Sequence, residues 1–147
     1  MICVDASVAV TWVLNEKLSG HARALYRAQL EPREPIIVPS LLVYEVTNTV
    51  RQQIRKPEGM SRIAARRALA DLLAARIEIH SPSGMHQLAL DIADDHDLPA
   101  AYDAHYLALS ELLGCEFWTA DVRLLRRVQT GMPFVRWLGD YTLADEA

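Results

Sequence analysis

No stretch of this 147-residue chain is both apolar and long enough to span a bilayer, which needs ~20 residues. The first residues lack the basic start and cleavage site of a signal peptide, so a cytoplasmic protein without a membrane partner is expected. Cysteine is scarce: Cys3 and Cys115 both lie in apolar stretches and are expected as buried, reduced thiols. The five histidines show no metal-ligand spacing, which argues against a Cys/His zinc site. None stands near a convincing nucleophile, so a Ser-His-Asp hydrolase has little support. Neither G-x-G-x-x-G nor a Walker A pattern occurs, which removes dinucleotide and P-loop readings. Lysine is confined to Lys17 and Lys56, and the last strand offers Arg136 instead. A receiver-like phospho-acceptor, which needs a late lysine, is therefore disfavoured. There is no internal repeat and no low-complexity tract.

Positive charge is also in deficit, with a formal net charge of -4. That argues mildly against a non-specific nucleic-acid binder. The arginines are nevertheless clustered: Arg51, Arg55, Arg62, Arg66, Arg67 and Arg76 with Lys56 in one stretch, and Arg123, Arg126 and Arg127 in another. Solvated helix faces and polyanion-facing surfaces both account for these clusters.

The composition, 51% hydrophobic and 23% charged, is that of a globular chain, expected as a single domain over 1–147. Short β-type runs occur at Ile2–Val4, Ile36–Val38, Ile77–His80, Glu116–Thr119 and Phe134–Trp137. Helical patterns separate them: from near Ser7, over Ser19–Leu30, from Pro39-Ser40 to Arg55, from Ser61 to Ala75, over Gly84–His96, over Ala101–Leu113, and from near Asp121 to before Gly131. Ser40 and Ser61 are expected N-caps, Gly114 a helix terminator, and "EPREP" a break before the second strand. Alternating β and α predicts an α/β fold with a mainly parallel sheet covered on both faces.

Acids stand at awkward places in this pattern. Asp5 and Asp121 follow the first and fourth strands, and ligands of open parallel sheets bind beyond the carboxyl ends of strands. Glu45 shares a helix side with Leu41 and Leu42, at the edge of the apolar stripe Val46, Val50 and Ile54. Asp103 is expected in the first turn of its helix, facing inward with Tyr106 and Leu107, where the helix dipole favours negative charge. Each acid has a plainer reading: an N-cap for Asp5 and Asp121, a boundary residue with a solvated head for Glu45, a dipole partner for Asp103. Gathered at one sheet end, bare carboxylates would raise one another's pKa, and a divalent cation removes that conflict. All-oxygen ligands suit Mg²⁺ or Mn²⁺ better than zinc. "DIADDHDLP" is acidic too, but it lacks the spacing of a calcium loop and reads as a solvated helix end.

The segments "VDASV", "PSLLVYEV", "AYDAHYLALS" and "FWTADVRLL", in this order and spacing, resemble those of PIN-domain ribonucleases, most closely the VapC-type toxins of toxin–antitoxin pairs. The resemblance covers nearly the whole chain. It implies a three-layer α/β/α fold with a five-stranded parallel sheet. It implies that Asp5, Glu45, Asp103 and Asp121 hold Mg²⁺ or Mn²⁺ for endonucleolytic RNA cleavage, with the hydroxyls of Ser7 and Thr119 supporting. Arg51, Arg55 and Arg123 are candidate RNA contacts. The resemblance further implies a homodimer and a cognate antitoxin, for which Val8, Trp12, Val13, Leu42, Tyr44 and Val46 are the apolar supply, although periodicity supports a core role for them equally. An RNA-processing nuclease without an antitoxin, and an idle acidic-pocket binding module, remain alternatives.

Overall fold

A computed structural model describes residues 1–30 and 34–142. Among the described residues thirteen elements follow one another: β1 (Ile2–Val4), α1 (Ala6–Val13), α2 (Ser19–Leu30), β2 (Ile36–Val38), α3 (Leu41–Arg55), α4 (Arg62–Leu73), β3 (Ile77–Ile79), α5 (Met85–Asp95), α6 (Ala104–Leu113), β4 (Glu116–Thr119), α7 (Val122–Val128), β5 (Val135–Trp137) and a 3₁₀ turn (Leu138–Asp140). The "EPREP" break overlaps 31–33, so its core lies outside the described residues.

All five strands are parallel, in the order β3-β2-β1-β4-β5. β1 is central because Ile2, Cys3 and Val4 are apolar without interruption, as a strand covered on both faces requires. The chain winds outward from β1 to β2 and β3, then crosses back to lay β4 against the free side of β1. Right-handed crossovers put helices of the two winding directions on opposite faces of the sheet, giving three layers. α1 packs against α2, α3 and α4, while α5 packs on α6, which covers β1 and β4. The order reverses between β1 and β4, and the ends of neighbouring strands leave a crevice there. Both sheet edges carry charge: Glu78 pairs with His80 beside β3 at 3.0 Å, and Arg136 of β5 with Glu116 at 3.1 Å. Such pairs discourage further strand addition.

The core is one cluster, with Tyr106, Phe117, Leu42, Leu107 and Leu109 among its large fully buried side chains. Cys3 and Cys115 are buried free thiols. No helix among the described residues is long and apolar enough to cross a membrane.

Some expectations need correction. Strand β3 stops at Ile79, although the His80 amide still donates to the Val38 carbonyl at 2.9 Å. Strand β5 starts at Val135, although the Phe134 carbonyl accepts from the Phe117 amide at 3.0 Å. Ladder bonds thus outlast the strands by one residue. Ser40 precedes α3 but its side chain makes no capping bond, because its own backbone is already helical. Ser61 does cap α4, accepting from the Ala64 amide at 3.1 Å. Helix α6 begins at Ala104 rather than Ala101: residues 99–103 form bends and turns after Pro99, which leaves Asp103 at the N-cap position and not inside the first turn. Gly114 terminates α6 at φ 66°, a left-handed conformation glycine adopts without strain. Of the six apolar residues considered for a partner surface, Val8, Leu42 and Val46 are fully buried in the core. Trp12 and Val13 are half-buried against it, and only Tyr44 is exposed.

Candidate active site

A cleft of about 340 Å³ opens where the strand order reverses, and Asp5, Glu45, Asp103 and Asp121 all line it together with Ser7, Asn48 and Thr49. Its acids come from four places in the chain. Asp5 ends β1, Glu45 sits one turn into α3, Asp103 precedes α6, and Asp121 follows β4.

Asp5 is the most constrained of them. It is only 5% exposed. Its Oδ1 accepts from the Ser7 hydroxyl at 2.5 Å and from the Val8 amide at 3.2 Å, so it does cap α1. Its Oδ2 accepts from the Thr119 hydroxyl at 2.5 Å, a bond across 114 residues that the β1–β4 pairing makes possible. Ser7 in turn accepts from the Ala120 amide at 2.9 Å, and Thr119 from the Asp121 amide at 3.0 Å. Both ends of the crevice are therefore knitted to one carboxylate. Burial pushes the Asp5 carboxyl up to about 7, against the pull of these hydrogen bonds, and the Asp103 charge pushes the same way.

Asp121 also caps a helix: its Oδ1 accepts from the Arg123 and Leu124 amides at 2.9 and 3.2 Å. For Asp5 and Asp121 the capping role and the place in the cleft coexist. Asp103 differs, since its side chain makes no capping bond to α6. Burial raises its carboxyl, and the nearby Asp121 charge raises it further. Glu45 is half-buried, and the Tyr106 hydroxyl donates to its Oε1 at 2.5 Å. Burial raises the Glu45 carboxyl, the Tyr106 bond lowers it, and the Asp103 charge raises it. Asp103 thus presses on its neighbours from the middle of the group.

Sequence reasoning missed Asn48, Thr49 and the part played by Tyr106. The first two were recoverable, because they stand three and four residues after Glu45 and so face the same side of α3. Tyr106 had been noted only as sharing a face with Asp103. Its contact with Glu45 spans 61 residues and links α6 to α3 by a side-chain hydrogen bond. Arg51, Arg55 and Arg123 do not line the cleft; all three are exposed beside it in the chain.

The donors in the cleft are oxygens without a histidine or a thiolate, which fits a hard divalent cation. Among the described residues no three His, Cys, Asp or Glu side chains stand close enough to grip an ion unaided. An open cup of this kind suits Mg²⁺, which keeps several waters and needs few direct protein ligands. It does not suit a closed tetrahedral zinc centre.

A parallel sheet in the order β3-β2-β1-β4-β5, with helices packed on it, defines a class of fold. The PIN-domain family matches residues 2–130, and the chain belongs to that family. It is 32% identical over 133 residues to the protein named VapC ribonuclease Mb0985 of Mycobacterium bovis, spanning 90% of this chain and 95% of the relative. The same figures hold for Ribonuclease VapC9 of Mycobacterium tuberculosis. The crystal structure of PAE2754 from Pyrobaculum aerophilum matches with a TM-score of 0.68 over 94% of this chain and 90% of that one. At 21% identity that likeness concerns the fold.

Proposed function

We propose that this protein is a divalent-metal-dependent endoribonuclease acting as the toxin of a toxin–antitoxin pair. The observation that carries the reading is the convergence of Asp5, Glu45, Asp103 and Asp121 on one cleft, in a chain whose relatives are named as ribonucleases. Asp5 and Asp103 would hold the cation, and Glu45 and Asp121 would complete its shell directly or through water. Bound Mg²⁺ or Mn²⁺ supplies a nucleophilic water at neutral pH and neutralises charge at the phosphodiester. The chain's own contribution is rigidity at one position and freedom at another. Ser7, Thr119 and the Val8 amide fix the Asp5 carboxylate in place, while Asp103 spends no side-chain bond on its helix. Asn48 and Thr49 offer uncharged polar groups on the cleft wall, where a sugar or base edge meets no repulsion.

Substrate phosphates need cations outside the acidic cup. Arg51 and Arg55 stand three and seven residues after Asn48, on the same strip of α3, and both are exposed. They extend ~5 and ~10 Å along the helix from the cleft wall at 1.5 Å per residue. Arg123 starts α7 beside Asp121 on the other side. The reading is tested by incubating purified protein with mixed structured RNAs and Mg²⁺ or Mn²⁺. Cleavage that EDTA abolishes is expected. In the same assay Arg51→Ala with Arg55→Ala raises KM about tenfold with kcat little changed, and steepens no salt dependence. Absence of cleavage of any RNA, with tight binding of a basic peptide instead, would establish the idle binding module.

Two partner surfaces follow. A cleft of about 290 Å³ between α1, α2 and α4 is lined by Trp12, Tyr26 and Leu72, with Arg23 and Arg27 against one acid, Asp71. An antitoxin segment carrying apolar anchors and a carboxylate fits it. A second groove, of about 240 Å³, exposes Tyr44 and Tyr102 beside Leu41, and a second copy of the chain fits there. Light scattering should give twice the mass of one chain, and Tyr44→Asp should halve it. Trp12→Ala with Arg27→Glu should lose co-purification with the product of a neighbouring small gene. A monomeric wild type sinks the dimer, and undiminished co-purification sinks the antitoxin seat.

A further inference from the structure

Tyr106 is a residue of α6 that is wholly buried, yet its one polar atom reaches the candidate active site. Its hydroxyl donates to Glu45 Oε1 at 2.5 Å. The ring lies nearly parallel to that of Phe117 on β4, at 22° with centroids 6.0 Å apart. Ring and hydroxyl are therefore fixed by the core, and the hydroxyl has no other place to go. Glu45 is different. It is half-buried on a long side chain, and its carboxylate has no comparable restraint of its own. We propose that Tyr106 is a positioning residue: it holds one oxygen of Glu45 so that the other, Oε2, is presented to the cation of the cleft. This inference rests on the metal-dependent reading above.

The geometry gives α6 a double role. Asp103 at its start offers a carboxylate directly, and Tyr106, one turn further, sets the aim of a second carboxylate carried by another helix. The same bond ties α6, which carries Tyr106 and follows Asp103, to α3, which carries Glu45. A ligand carboxylate oriented by such a partner binds its metal with less reorganisation, and loss of the partner commonly weakens metal affinity 10- to 100-fold. A burial role for the ring alone makes a different forecast. Phenylalanine keeps the ring and its stack on Phe117, so a packing residue would tolerate the change.

The test compares wild type, Tyr106→Phe, Glu45→Gln and the double variant by Mn²⁺ binding, read from the free-ion electron paramagnetic resonance signal at pH 8. Thermal unfolding in EDTA runs alongside. Tyr106→Phe is expected to fold as wild type does and to bind Mn²⁺ about tenfold more weakly. In the Glu45→Gln background the same change is expected to cost little further, because its effect passes through the carboxylate. In cleavage assays the Mn²⁺ concentration for half-maximal rate should rise about tenfold with KM for RNA unchanged. Wild-type affinity in Tyr106→Phe overturns the inference, and so does an equal loss in both backgrounds. A wild type that binds no Mn²⁺ overturns the metal-dependent reading itself. If Tyr106→Phe fails to fold, Tyr106→Trp and Tyr106→Met both folding with wild-type Mn²⁺ affinity also overturns it.

Discussion

Replacing Asp5 by asparagine is expected to lower RNA cleavage about 10³-fold and, in the same protein, to raise the melting temperature of the metal-free form at pH 8. On the proposed metal-dependent reading, the first effect is the loss of the several kcal/mol that a cation held by Asp5 would supply to the reaction. The second comes from burial. The Asp5 carboxyl is 5% exposed and is pushed from 3.8 to about 7. Its folded-state value lies above its unfolded one, so the proton favours the fold. The stability it contributes is complete below about pH 4 and is lost as pH rises to about 7. At pH 8 the ionised group costs at most ~4 kcal/mol, taking 1.36 kcal/mol per unit. Asparagine removes the charge and keeps the shape. Its oxygen still accepts from the Val8 amide and the Ser7 hydroxyl, and the Thr119 hydroxyl can turn to accept from its amide. Imperfect replacement leaves a net gain of ~1–3 kcal/mol, or ~3–9 °C for a chain of this size. Unfolding followed in EDTA checks it. The gain should shrink steadily from pH 7 downward and vanish only below about pH 4, where Asp5 is protonated in the folded and the unfolded chain alike. A variant that melts lower than wild type at pH 8 as well as at pH 4 would show that the carboxylate serves the fold and not a ligand.

Adding 10 mM Mg²⁺ at pH 8 should raise the wild-type melting temperature by ~5–10 °C. A ligand at 100 times its dissociation constant contributes ~2.7 kcal/mol, which gives that shift. Its source is the same crowding of charge: Asp5, Glu45 and Asp103 are all raised, by burial first and then by another acid of the group. A cation relieves what burial and mutual repulsion impose. Protons relieve it as well, so the Mg²⁺ shift should shrink as pH falls towards 5 and should be absent in Asp103→Asn. Potassium chloride at equal ionic strength separates a bound ion from screening. An equal shift with that salt, or one that does not depend on pH, would end the case for a cation in this cleft.

The strands Ile2–Val4, Ile36–Val38 and Glu116–Thr119 were legible residue for residue, because apolar and β-branched runs bounded by polar residues have few other uses. The same holds for α2 at Ser19–Leu30 and for the stop at Gly114. Errors fell at element ends. Ser40 has the right side chain for a cap and the wrong backbone angles, and 101–103 turn where a helix was expected. In both places the decision is made by a single peptide's conformation, which composition does not encode.

The candidate acids were legible for a related reason: a carboxylate at the end of an apolar strand, or on the margin of a buried helix face, is costly unless something uses it. That the four line one cleft was not legible from local pattern, because each acid also has a local use. Asp5 and Asp121 do cap helices, as the plainer reading held. Only the pairing of β1 with β4 brings Thr119 onto Asp5, and only the tertiary placement of α6, packed on α5, β1 and β4, brings Tyr106 onto Glu45. What the chain determines by itself is which segments form strands and helices, since that choice rests on backbone preference and on the period of its apolar residues. Which distant side chains meet was decided by strand order and core packing, whose free energy is summed over the whole molecule and written in no short stretch of it.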